Sequence, residues 1–143
     1  MQYEIKGGSM PVVVCTLQNG ESVKTEKGAM SWMSPNMEMQ TNAGGGIGKA
    51  FSRIFTGESM FQNIYTARGG TGLIAFASSF PGAILAIPIS ASHSIVAQKH
   101  AFLAMESGVE MKLFFQKRFG SGLFGGEGFI MQQFLGNGIV FLE

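Results

Sequence analysis

The sequence has no aspartate, one cysteine and two histidines among 143 residues. Each shortage narrows the chemistry. All nine acidic residues are glutamate, so the short carboxylate common in metal sites and tight turns is missing. Cys15 stands alone, which rules out an internal disulfide framework and a cysteine-based zinc site. A lone cysteine fits a reducing, cytoplasmic setting. Charged residues make up only 13% of the chain, against roughly 25% in an ordinary globular domain. The formal net charge is +1, so the chain as a whole carries no basic footprint for nucleic acid. The opening Met1-Gln2-Tyr3-Glu4-Ile5-Lys6 has neither the basic and apolar regions of a secretory signal nor the arginines of a transit peptide.

What is abundant points to a core and to interfaces. Hydrophobic residues reach 45%, with 13 Phe, 10 Met and 21 Gly. So few charges cannot cover a surface, and large exposed apolar patches usually mark contacts with other molecules. Methionine suits irregular contacts of that kind. A homo-oligomer, with a trimer favoured, is the expectation. Residues 69–98 contain no Lys, Arg or Glu, which calls for a membrane check. A spanning helix needs about 20 unbroken apolar residues. Ser78-Ser79, Pro81-Gly82 and Pro88 interrupt this run, so two short buried strands around a Pro-Gly turn fit it better.

Strand signals recur along the chain. Residues 3–6 read as a first strand closed by Gly7-Gly8. The Val-rich run 11–17 reads as a buried strand. Asn19-Gly20 marks a turn, 22–26 alternates, Lys27-Gly28 breaks, and 29–33 is the next strand. After Ser34-Pro35-Asn36, residues 37–40 alternate with Met37 and Met39 on one face. A glycine-rich loop covers 41–48. Ile47, Phe51, Ile54 and Phe55 fall at helical spacing, which gives a loop or a helix of one or two turns. Residues 59–67 and 73–80 read as a hairpin about Gly69-Gly70, and 83–87 as a further strand.

The chain then repeats itself. Residues 99–105 parallel 27–33, and 107–111 parallel 35–39, both 72 positions apart. Two signatures follow: Gly57-Glu58 in the first half and Gly126-Glu127-Gly128 in the second. These organise the chain into a first β repeat over 1–80, with an N-terminal strand and a glycine-rich loop, and a second over 81–143. Evenly spaced strands and turns imply an all-β fold of duplicated antiparallel repeats, a sandwich or barrel. The last residues, 138–143, break off inside a strand pattern. That is the pattern of a protein continuing past Glu143, with Leu142-Glu143 readable also as a tag remnant.

The phrases Gly57-Glu58-Ser59-Met60-Phe61, Phe115-Gln116-Lys117-Arg118 and Gly122-Leu123-Phe124-Gly125-Gly126-Glu127-Gly128-Phe129 carry a resemblance, as do Tyr3-Glu4-Ile5 and Met10-Pro11. The chain resembles bacterial and archaeal relatives of the altered inheritance of mitochondria protein twenty-four, over essentially its whole length. The resemblance implies a fold similar to the tryptophan RNA-binding attenuator protein, of double-stranded β-helix type and assembled in rings. It also implies a trimeric bacterial protein of undefined activity. The mitochondrial relatives imply a link to inner-membrane organisation through partners rather than catalysis. It supplies no catalytic residues.

The remaining motifs are weak. Gly120-Ser121-Gly122-Leu123-Phe124-Gly125 satisfies GxGxxG, but a strand-like run follows where a dinucleotide site needs a helix. Gly44 to Ala50 fails as a P-loop, with Ala43 and Ala50 in place of the first Gly and the magnesium-binding hydroxyl. Glu58 and Glu127 could form a carboxylate pair if they met in one cleft; bonding to their own glycine loops is the plainer role. His93 and His100 lack the His-x-His spacing of a double-stranded β-helix metal site and would need Glu106. Cys15 in a Val-rich strand reads as packing. Lys112, Lys117 and Arg118 among Phe114, Phe115 and Phe119 could stack bases, or guard a strand edge.

No catalytic, cofactor or metal residues emerge. The reading is a non-enzymatic oligomeric scaffold or binding protein with an unknown protein partner, linked to membrane organisation through partners. A peripheral membrane contact through Ile47, Phe51, Ile54 and Phe55 stays open. An RNA-binding ring and a metal-dependent enzyme of the double-stranded β-helix type are the alternatives.

Overall fold

The structure, a computed structural model, describes residues 1–26, 28–42, 62–116 and 129–143. Its order is β1 (Gln2–Lys6), β2 (Val12–Leu17), β3 (Ser22–Glu26), β4 (Met30–Met33), β5 (Met37–Asn42), β6 (Gln62–Ala67), β7 (Gly72–Ala77), β8 (Leu85–Ile89), β9 (Ile95–Gln98), a single-turn 3-10 helix (Lys99–Ala101), β10 (Phe102–Glu106), β11 (Val109–Gln116), β12 (Phe129–Gly136) and β13 (Gly138–Leu142). The fold is all-β. No helix among the described residues is long and apolar enough to cross a membrane.

Period-two alternation makes these strands. Val13, Cys15 and Leu17 of β2 are buried, while Val12, Val14 and Thr16 are half-buried. The run expected as a buried strand is therefore buried on one face and half-buried on the other. In β3, Val23 and Thr25 point inward between half-buried neighbours. Met37 and Met39 share a side of β5, yet Met37 is buried and Met39 exposed, because the core ends between them.

Three antiparallel sheets result. Their orders are β1-β2-β7-β4, β5-β6-β3-β10-β13-β8 and β11-β12-β9. The expected hairpin of β6 and β7 does not form. β6 pairs with β3 and β5, and β7 with β2 and β4. Gly69 at φ +70° and Gly70 at φ +147° turn the chain from one sheet to the other. Both strands thereby bury a face in one core, where Tyr65 and Phe76 meet edge-on with centroids 6.5 Å apart. β8 starts two residues later than expected and runs through Pro88. It is the end strand of its sheet, where a missing N–H is tolerated.

Two clusters form the core. The first joins Val13, Cys15, Leu17, Ile74 and Phe76 to Val23, Tyr65, Leu103, Ala104 and Phe141. The second holds Ile89, Phe102, Met105, Val109, Phe134, Val140 and Leu142. Tyr3 reaches from β1 to set its ring edge-on to Phe141, 5.1 Å between centroids.

The halves of the chain meet where β3 pairs with β10. Only two residue pairs make that ladder, Met105 with Lys24 and Glu106 with Val23. Side chains extend it. The buried Thr25 hydroxyl donates to the Leu103 carbonyl at 2.6 Å. The Lys24 ammonium donates to the Val109 carbonyl at 3.0 Å, and the Gln132 amide donates to Glu26 at 2.9 Å. Replacing Thr25 with valine keeps the shape and strands a buried carbonyl. Loss of such a bond costs about 1–3 kcal/mol. Thr25→Val is therefore expected to lower the unfolding free energy by that amount, read as a lower urea midpoint at unchanged slope; an unmoved midpoint would show that the hydroxyl contributes nothing to the junction.

Candidate interaction surface

The glycine–glutamate signatures, Gly57, Glu58, Gly126, Glu127 and Gly128, lie outside the described residues. So do Ile47, Phe51, Ile54, Phe55, Lys117, Arg118 and Phe119, together with both glycine-rich motifs weighed for nucleotide binding. Lys112 is exposed on β11. His93 is exposed in a turn closed by Ser90, and His100 is exposed in the 3-10 helix. Glu106 is engaged elsewhere: its Oε2 accepts the Ile139 N–H at 2.8 Å. Among the described residues, no three His, Cys or Glu side chains gather as a metal site would require.

Cys15 is fully buried in the first cluster. Burial, with some help from the Glu106 charge, pushes its thiol up to about 12. A thiol so placed is not a nucleophile at neutral pH.

The chief polar cluster lies at the Met1 amino group, which donates to Glu21 at 2.8 Å and lies 3.6 Å from Glu106. The bond to Glu21 raises the amine above its ordinary value, against some desolvation. The same bond lowers Glu21, and the Gln18 N–H lowers it further. Both partners are thus held in their charged forms beside a groove of about 240 Å³. Every strong donor and acceptor in that set has a structural partner already.

A groove of about 500 Å³ runs over the outer face of β1-β2-β7-β4. Trp32, Leu73, Val12 and Val14 form its floor, and Gln2, Glu4 and Lys6 its rim. Trp32 is 46% exposed and Leu73 39%. The rim ion pair of Lys6 and Glu4, at 3.2 Å and open to water, contributes little energy. An apolar floor with a polar rim is the anatomy of a protein contact.

Sequence reasoning missed Trp32 for an identifiable reason. In a regular strand Met30 and Trp32 share a face. The register of β4 on β7 shifts between them, and such a bulge re-aims the side chain that follows. Met30 packs on the first cluster, while Trp32 lines the outer groove. The isolated tryptophan was the available signal, since exposed aromatics of that size concentrate at interfaces.

The described residues thus make an antiparallel, multi-sheet β protein with an open apolar sheet face. The chain belongs to the AIM24 family, described as mitochondrial biogenesis AIM24, whose sequence model matches residues 3–143. An uncharacterised protein of Streptococcus pyogenes serotype M6 is 32% identical over 125 residues, covering 82% of this chain and 49% of the relative. The crystal structure of a Streptococcus pyogenes protein, SPYM3_0169, is similar with a TM-score of 0.80 at 26% identity. The match covers 99% of this chain and 63% of that one. The chain therefore spans about half the length of the curated relative it matches. The family expected from the glycine–glutamate phrases is the one found.

Two outcomes follow from these environments. Cys15 is expected to resist thiol reagents in the native protein at pH 8 and to react fully in denaturant; fast native labelling would overturn its placement. The Met1–Glu21 pair acts on both flanks of the stability profile. Glu21 is depressed when folded, so its contribution is present above the ordinary carboxylate value of 4.5 and is lost as pH falls through the lower folded value. The amine is raised, so its contribution is present below 8.0 and is lost as pH rises through the higher folded value. Glu21→Gln should flatten both flanks of a Tm-against-pH curve, and equal curves for the two proteins would discount the pair.

Proposed function

We propose that this chain is a non-enzymatic binding scaffold that works as a homo-oligomer, with a trimer favoured, and recruits a protein partner through apolar contact. The observation that carries this reading is the placement of exposed apolar side chains. Tyr3, Ile5, Trp32, Met33 and Leu73 are all large and exposed on strands of one sheet, β1-β2-β7-β4, with Trp32 and Leu73 on its outer face and Tyr3, Ile5 and Met33 on the other. Burying such side chains contributes roughly 1.5–3 kcal/mol each, enough for a few to hold a complex. Any part in membrane organisation would run through partners held in this way. A cytoplasmic setting suits a buried, unpaired Cys15.

The test is solution mass by light scattering, with metal and nucleic acid assayed in the same sample. A trimer or larger ring free of cargo is expected. A metal-loaded monomer would sink the scaffold reading in favour of an enzyme, and a ring carrying RNA would replace it with a nucleic-acid role. Trp32→Glu is further expected to lower the solution mass toward the monomer while leaving the fold, followed by circular dichroism, unchanged.

A further inference from the structure

The junction between β3 and β10 has two unused counterparts on the same molecule. The strands of each half pair alike: β5-β6-β3 matches β11-β12-β9, and β2-β7-β4 matches β8-β13-β10. Details recur at the matching positions. The ladder of β4 on β7 shifts between Met30 and Trp32, and that of β10 on β13 between Phe102 and Ala104. Ser34 Oγ accepts the Leu73 N–H at 2.9 Å, and Glu106 Oε2 accepts the Ile139 N–H at 2.8 Å. The Arg68 N–H donates to Asn36, and the Asn137 N–H to Gly108, both at 3.0 Å. β4 thus stands where β10 stands, and β9 where β3 stands.

The occupied and open positions differ as covered and uncovered surfaces do. Ala104 and Met105 are 0% and 1% exposed beside β3, whereas Trp32 and Met33 are 46% and 37% exposed. β4 ends one sheet and β9 ends another, each with a single partner strand among the described residues. Val96 of β9, at the place of Lys24, is 45% exposed. Beside it, Ile95 and Ala97 only partly cover the second core cluster. In the first cluster the matching site is closed by Ala104 and Phe141 from the other half.

We propose that β9 of one molecule pairs antiparallel with β4 of a second copy of this chain, reproducing the β3–β10 junction between molecules. Transferring the internal register places Met33 opposite Val96 and Ser34 opposite Ile95. The Trp32–Leu73 face then covers the open side of the second cluster of its neighbour. The occupant is another copy because this chain itself carries both halves of the contact, one at each end strand. The contact is head-to-tail, the kind that builds a ring where the rotation between copies closes. It is also an apolar version of the internal junction, with Val96 and Ala97 where Lys24 and Thr25 stand. Gln98 replaces Glu26 and faces Asn63 at the place of Gln132, an amide pair in place of amide and carboxylate. This inference rests on the oligomeric scaffold reading and names the contact that builds it.

Met33→Glu and Val96→Glu each place a charge in one half of the junction. Each variant alone is expected to be monomeric by light scattering and native mass spectrometry, with the circular dichroism of the wild type. Mixed in equal amounts they should form a 1:1 dimer, because one keeps an intact β9 and the other an intact β4. A second measurement does not depend on disruption. Met33→Cys with Val96→Cys in one chain should form reducible intermolecular crosslinks under copper phenanthroline, since facing residues on antiparallel strands lie within disulfide reach. Neither single cysteine variant should form the same ladder. Variants that keep the wild-type oligomer, a mixture that stays monomeric, or a double-cysteine protein without crosslinks would each overturn the junction while leaving an oligomeric wild type intact. A wild type that is monomeric at every concentration would overturn the scaffold reading itself.

Discussion

Everything in this fold depends on edge-to-edge pairing of β3 with β10. With no helix among the described residues beyond one 3-10 turn, a sheet can bury its apolar face only against another sheet. The two-pair ladder of Met105 with Lys24 and Glu106 with Val23 makes one six-stranded sheet from the two halves. That sheet delivers Leu103, Ala104 and Phe141 into the cluster built by β2, β3, β6 and β7. So short a ladder is reinforced by Thr25, Lys24 and Gln132, each bonded across it. One cost remains: Gln132 Oε1 is buried without a partner among the described residues. The polar set fixes register where two residue pairs alone would be free to slip.

Much of this was legible in the sequence, because alternation and turn chemistry are local. β2, β3 and β4 and the Asn19-Gly20 turn fall where valine-rich runs, period-two patterning and glycine place them. Gly20 takes φ +86° in that turn. What was not legible is relational. Gly69-Gly70 signals a reversal but does not say whether the strands it joins share hydrogen bonds or face each other across a core. Tyr65 and Phe76 decide for the second. β9 escaped notice because Ile95-Val96-Ala97-Gln98 has no strong alternation and borders polar residues. It becomes a strand through its pairing with β12, a contact more than thirty residues away in sequence.

The interaction surface was less legible than the fold for the same reason. Low charge and abundant methionine raised the expectation of a surface covered by another molecule, without locating it. Locating it needs the bulge in β4, which splits Met30 from Trp32, and the sheet order, which leaves β4 at an end. By contrast, the described residues that sequence motifs singled out for chemistry do not converge. His93 and His100 are exposed at separate turns, Glu106 holds a backbone N–H, and Cys15 is locked in the core.

The contrast between the two kinds of edge has a consequence for specificity. Inside the chain, β3 presents Lys24, Thr25 and Glu26, each satisfied by a partner it cannot lose while the protein is folded. β9 presents Val96, Ala97 and Gln98 at the matching places. A polar edge left open would hold its groups in water and lose that hydration on association, so polar pairing adds little net affinity unless every group is matched. An apolar edge gains from burial and demands less of its partner's geometry. It also tolerates the wrong partner, which is why exposed apolar edges invite aggregation. In the proposed junction, Trp32 on the adjoining face would restrain that promiscuity, because its bulk must seat against the partly covered cluster beside β9. Shape at Trp32 would then select the partner, and burial along β4 and β9 would supply the affinity.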